Sequence, residues 1–104
     1  MTRYRLSSEA QDDIHEIRPY RLGQAGARLA RYALGEIRAA LNFIAANPGA
    51  GHCREDITDE PARFWAVFSY LIVYDPVMKP LGVARVLHGS RDLETMFRNR
   101  PPRA

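Results

Sequence analysis

The chain has 104 residues, 46% of them hydrophobic, and its 15 Lys and Arg against 12 Asp and Glu give a formal charge of +3 and a pI near 9.4. That length supports a single domain burying roughly 60–65% of its unfolded surface, and the charge leans toward acidic partners without establishing nucleic-acid binding. The lone Cys53 excludes an internal disulfide and no Cys or His spacing matches a zinc site, so the fold is expected to stand on packing, with no metal and no cofactor. No apolar run approaches the roughly 18 residues that span a bilayer, and the polar start Met1-Thr2-Arg3-Tyr4-Arg5 leads into no signal-peptide region, so a cytoplasmic protein without membrane contact is expected.

In chain order, Arg3 to Leu6 alternates charged and apolar residues and predicts a short first strand. Ser8 with Gln11 three residues on reads as a capping box that starts a helix at about Glu9. Ala10, Ile14 and Ile17 then place an apolar stripe inward, while Asp12, Asp13 and Glu16 are expected to face solvent beside the positive helix N-terminus. Pro19 lacks an amide hydrogen and clashes with the preceding turn, which predicts an end or a kink near Arg18, with Gly23 and Gly26 marking the connection.

From Ala27 the apolar period of Leu29 or Ala30, Ala33 or Leu34, Ile37, Leu41 and Ile44 predicts a long second helix, stopped by Asn47-Pro48-Gly49 and forming an antiparallel hairpin with the first. Its small residues, Ala25, Ala30, Ala33, Gly35, Ala39 and Ala40, let another element approach closely, although Gly35 costs about 1 kcal/mol of helix propensity against Ala. Residues 49–61 read as a loop.

Between residues 64 and 93 the pattern becomes that of strands, rich in Val, Ile, Phe and Tyr around a Pro76 to Gly82 turn. Phe64, Ala66, Phe68, Tyr70, Ile72 and Tyr74 share one parity and Trp65, Val67, Leu71 and Val73 the other, so both faces are apolar, as for a sheet covered on two sides. Ser69, in mid-run, marks either a bulge or a tight reversal between two shorter strands. Val83 to His88 completes the strand pattern. Gly89 to Asp92 reads as a turn, Leu93, Met96 and Phe97 as a short terminal helix, and residues 98–104 as a basic tail outside a single domain at 1–97.

Four segments together resemble the ParE toxins of type II toxin–antitoxin modules, within the wider ParE/RelE superfamily. They are Leu6-Ser7 with Ala10, Asp13 and Ile14; Asn47-Pro48 with Gly51 and Arg54; Tyr70-Leu71-Ile72-Val73-Tyr74; and Arg85-Val86-Leu87-His88-Gly89 with Arg91-Asp92-Leu93. The match covers nearly the whole chain, and the last two segments are its most specific parts. The resemblance implies an α+β domain with an N-terminal strand, an antiparallel helix hairpin packed on a twisted antiparallel sheet, and a short C-terminal helix. It also implies a ParD-like antitoxin that binds and neutralises the toxin in a hetero-oligomer, with operator DNA reached only through the antitoxin. ParE-like toxins poison DNA gyrase, whereas RelE-like relatives cut mRNA on the ribosome.

Fold does not decide between those activities, so the residues must. Cleaving RNA requires basic groups to stabilise the phosphate's developing charge and a group that moves protons. Aligned with RelE-like enzymes, Leu71 stands where they carry a strand arginine and Phe97 where they carry a tyrosine, while Arg91 matches one basic member and Arg54 or His52 can substitute for another. The constellation is incomplete, and no enzymatic activity is expected.

His88, Arg91 and Asp92 have the chemistry of a general acid, a phosphate clamp and an orienting carboxylate. The structural alternative has Asp92 capping the last helix, Arg91 solvated or paired, and His88 hydrogen-bonded at a strand end. With Arg98 and Arg100, these three form the candidate target surface, at the end of the chain where basic residues gather. Trp65, Tyr70, Tyr74, Ile37 and Leu41 are the candidate antitoxin contacts, each with core packing as its alternative. The expected function is a gyrase-inhibiting toxin; a ribosome-dependent RNase and a non-toxic partner in autoregulation are the alternatives.

Overall fold

The computed structural model describes residues 3–53 and 62–88, with the backbone alone over 18–25. The elements run β1 (Tyr4–Leu6), α1 (Ser8–Ala25), α2 (Ala27–Ala46), a 3-10 turn (Pro48–Ala50), β2 (Arg63–Val67), β3 (Tyr70–Asp75) and β4 (Leu81–His88). The expected terminal helix and basic tail lie outside the described residues. Among these, neither helix is long and apolar enough to cross a membrane.

The four strands form one sheet in the order β1-β4-β3-β2. The meander β2-β3-β4 is antiparallel, but β1 lies parallel to β4, with Tyr4 opposite Leu81 and Leu6 opposite Val83, so the sheet is mixed rather than wholly antiparallel. A parallel neighbour needs a long crossover, and the helix hairpin and meander supply it.

Helix α1 starts one residue earlier than the capping-box reading. Ser7 is the N-cap, its Oγ accepting the Ala10 amide at 3.0 Å, while the Gln11 side chain reaches back to the Leu6 carbonyl at 3.3 Å. The helix also runs through Pro19 to Ala25, which corrects the expected break. A mid-helix proline costs on the order of 3 kcal/mol. That cost is local, whereas the packing of Ala10 and Ile17 into the core and the antiparallel α2 act over the whole length. Gly23 therefore sits inside α1, and Gly26 alone makes the connection at φ 89°, a conformation that favours glycine.

The stripe of α2 follows the predicted period, with Ala30 and Ala33 as its inward members rather than Leu29 and Leu34: Ala30, Ala33, Ile37, Ala40, Leu41 and Ile44 are buried, and the last four pack into one core with the sheet. On the sheet side Tyr70, Ile72, Tyr74, Leu81, Val83 and Val86 complete this core. Phe64, Val73 and Leu87, with Ala62 and Leu71, form a second cluster. Two apolar clusters match the two-faced pattern of the sequence, but the single-parity grouping fails because residues 68 and 69 form a reversal. Val67 pairs directly with Tyr70, so inward positions are odd before the turn (Trp65, Val67) and even after it (Tyr70, Ile72, Tyr74). Phe68 takes the turn's positive φ, 55°, where an L side chain costs about 1–2 kcal/mol.

The bulge lies elsewhere. Val73 pairs with Arg85 and Tyr74 with Val83, leaving Ala84 as the extra residue of β4. Strict alternation from Leu81 and Val83 would carry Arg85 into the core. The bulge moves Val86 inward instead and frees Arg85 to reach α1. There its Nε and Nη2 donate to the two carboxylate oxygens of Asp13 at 2.8 and 2.9 Å, and the Val86 amide donates to Asp13 Oδ2 at 2.9 Å. Asp13 is thus a ligand of the sheet, not a solvent-facing residue, its side chain 13% exposed.

Tyr74 closes the other end of the fold. Its hydroxyl, fully buried, donates to the Pro48 carbonyl at 2.7 Å and accepts the Gly51 amide at 2.8 Å, tying the turn after α2 to the sheet. A Cβ at Gly51 would lie 2.5 Å from that hydroxyl, so only glycine fits. Arg63 adds a bond to the Gly51 carbonyl at 2.8 Å, and His52 exchanges backbone bonds with Phe64.

Two outcomes follow. Tyr74→Phe leaves a buried donor and acceptor unmet and should cost about 1–3 kcal/mol in urea unfolding at unchanged slope. Asp13→Ala should cost about 1.5–3 kcal/mol, whereas Asp12→Ala, on an exposed neighbour, should change stability by no more than about 0.5 kcal/mol.

Candidate partner-binding surface

Of the candidate target residues, His88 is described. It ends β4 opposite Tyr70, half-buried, with the two rings edge to face at 5.4 Å. Arg91, Asp92, Arg98 and Arg100 lie outside the described residues, as does Arg54. Leu71, at the position of an RNase's strand arginine, packs beside Phe64, Val73 and Leu87, in apolar surroundings. The nearby Arg85 is committed to Asp13 by two hydrogen bonds.

Of the candidate antitoxin contacts, Ile37, Leu41, Tyr70 and Tyr74 are between 0% and 4% exposed, which makes each a core residue of the chain by itself. Trp65 is half-buried and stacks at a tilt on Phe43, centroids 5.2 Å apart. Phe43 is 46% exposed. Three turns earlier on the same side of α2 a second pair forms, Tyr32 edge-on to Phe68 at 5.8 Å, with both residues about half exposed. These two pairs link α2 to β2 and to the β2–β3 turn and make an aromatic ledge on the surface.

Sequence reading missed Tyr32, Phe43 and Phe68 as surface residues. The signal was present for the helix pair: Tyr32 and Phe43 are eleven residues apart, three helical turns, and both fall off the buried stripe. Phe68 gave no such signal, because its exposure follows from the turn.

A cleft of about 380 Å³ lies at the opposite end of β4 from His88, lined by Leu6, Ala62, Met78, Gly82, Val83 and Ala84 among others. Its charged members are Arg5 and Asp75, and Asp75 Oδ1 accepts the Val77 amide at 2.9 Å to hold the turn. Among the described residues no catalytic set converges there.

The whole sequence, compared with protein families, matches the model described as ParE toxin of type II toxin-antitoxin system, parDE, over residues 4–93. The chain belongs to the ParE toxin family. Its fold is also similar to a chain of the chromosomal ParDE TA system from P. aeruginosa, with a TM-score of 0.72 and 16% identity over 84% of this chain and 95% of that one. No curated protein matched by sequence. This ParE-family chain therefore shares its helix hairpin and sheet with a solved relative at low identity, as expected where packing pattern rather than residue identity sets a fold.

The ledge carries its own test. Phe68→Gly relieves the positive φ and Phe68→Ala does not, while both lose the contact with Tyr32. The Gly variant should exceed the Ala variant in unfolding free energy by about 1 kcal/mol.

Proposed function

We propose that this chain is the toxin of a type II toxin–antitoxin module that acts by binding, inhibiting DNA gyrase in the cytoplasm, and that an antitoxin encoded beside it neutralises it by direct contact. Family membership supports the toxin role. The solved relative's origin in a ParDE system supports an antitoxin partner. The observation that carries the binding reading is Leu71: where an RNase places a phosphate-stabilising cation, this chain places a side chain packed in an apolar cluster.

Cutting RNA there would require a cation where this chain carries a partly buried leucine against an apolar cluster. A binding toxin has no such requirement. It needs a complementary surface, and the chain's modest positive charge favours an acidic protein or DNA held by one.

Expression without the antitoxin should arrest growth with filamentation, and the purified chain should inhibit gyrase supercoiling in vitro. Cleavage of ribosome-bound mRNA, with supercoiling untouched, would replace this reading with the RNase one.

A further inference from the structure

The end of the sheet beneath the β3–β4 turn combines features that packing does not account for. Tyr4 and Leu6 pack toward the helices, so Arg3 and Arg5 project from the opposite face of β1. Arg5 lies opposite Gly82 and Gly82 opposite Asp75, which sets a cation and a carboxylate about 9.5 Å apart with only glycine on the strand between them. Met78 folds back over that gap: a Cβ on Gly82 would meet its Sδ at 2.7 Å. These residues, with Ala62 and Ala84, make the cleft of about 380 Å³, most of whose lining is apolar.

The turn above the cleft is restrained and apolar. Pro76 and Pro80 fix φ towards its two ends, and Asp75 Oδ1 holds the Val77 amide. Val77 and Met78 are nonetheless 76% and 51% exposed. Arg3, Arg5 and Lys79 stand exposed around them, Arg3 beside the turn because its carbonyl accepts the Leu81 amide at 3.2 Å. Among the described residues none of the three forms an ion pair, and the cleft's carboxylate, Asp75, already gives one oxygen to the turn. An apolar tip and an apolar cleft therefore sit inside a rim of excess positive charge.

We propose that this end of the sheet grips the target protein: an acidic segment of DNA gyrase lies along the rim of Arg3, Arg5 and Lys79 and seats one apolar side chain in the cleft, against Met78 and the Gly82 floor. The proposal rests on the gyrase-binding reading above and adds the surface and the chemistry it selects. Charge complementarity chooses an acidic segment. The cleft, at the small end of ligand-holding pockets, suits a single anchoring side chain, and the flexible Met78 adapts to what enters. The two prolines lower the ordering cost of binding, since the turn has little freedom left to lose. Nucleic acid alone fits less well: the cleft's aromatic ring, Tyr74, is buried with its hydroxyl committed to Pro48 and Gly51, so it offers no face for a base to stack on.

The test uses the full-length chain in a gyrase supercoiling assay, with its affinity for the purified product of the adjacent gene measured alongside. Arg5→Glu with Lys79→Glu should raise the concentration for half-inhibition at least about 30-fold, and added salt should weaken the wild-type chain more than the variant. Met78→Asp should raise it at least about tenfold, whereas Met78→Leu, which keeps an apolar side chain over Gly82, should stay within about threefold. Asn42→Asp, exposed on α2, should stay within about twofold. Each of these variants should keep the wild-type thermal midpoint and bind the antitoxin within about twofold of wild type. Wild-type inhibition by both the double-charge and the Met78→Asp variants would overturn the proposal and leave the gyrase reading standing. No inhibition by the wild-type chain would overturn both. Loss of antitoxin affinity in these two variants, with gyrase inhibition intact, would assign the surface to the antitoxin and overturn the proposal.

Discussion

Strand β4 is only partly flanked on its outer edge: β1 pairs with it from Leu81 to Val83, and beyond that point the edge is finished by side chains of α1. Ser7 links three groups there, its amide donating to the Val83 carbonyl, its hydroxyl donating to the Ala84 carbonyl and accepting the Ala10 amide. Two turns further along, Asp13 takes the Val86 amide and both nitrogens of the Arg85 fork. Unpaired strand edges invite further pairing and buried amides without partners are costly, so these contacts satisfy the edge and fix the helix on it together. The pose of α1 fixes α2 through the single-residue turn at Gly26, and the pose of α2 decides what its outer face presents.

That dependence explains which parts of the structure were legible in the sequence. Helix α2 was read from the period of Ile37, Leu41 and Ile44 because an amphipathic helix writes its own face. The strand pattern and the Pro76 to Gly82 turn were legible for the same reason. The parallel pairing of β1 and the role of Asp13 were not, since each is set by residues more than 70 positions away, and nor was the bulge at Ala84, a shift in the pairing of β4 with β3. Pro19 misled for a related reason: local propensity argues for a break, and tertiary packing outweighs it. At Ser69 the sequence left a bulge and a tight reversal both open, because the turn lacks the usual glycine; the structure takes the reversal, with Phe68 at its positive φ.

The candidate sites divide in the same way. Tyr74, read as either core or groove, is a core residue with a polar task, holding Pro48 and Gly51 with one hydroxyl. Trp65 keeps surface and joins Phe43 in the ledge. Around these, the fold uses its charges unequally: Arg85 is spent on the sheet edge and Arg63 on the Gly51 carbonyl, while the arginines of α2 stand on the surface. A protein that works by docking needs cations of the second kind, and one that works by catalysis needs them gathered around a reacting group.

The central claim, that α1 side chains finish the β4 edge and thereby hold the helix hairpin in place, is tested most directly by native-state hydrogen exchange at the Val86 amide. If Asp13 holds that hydrogen, Val86 exchanges as slowly as the ladder amides of Ile72 and Leu87, through the same cooperative opening. Exchange at the rate of an exposed loop amide, with those neighbours still protected, would contradict the account.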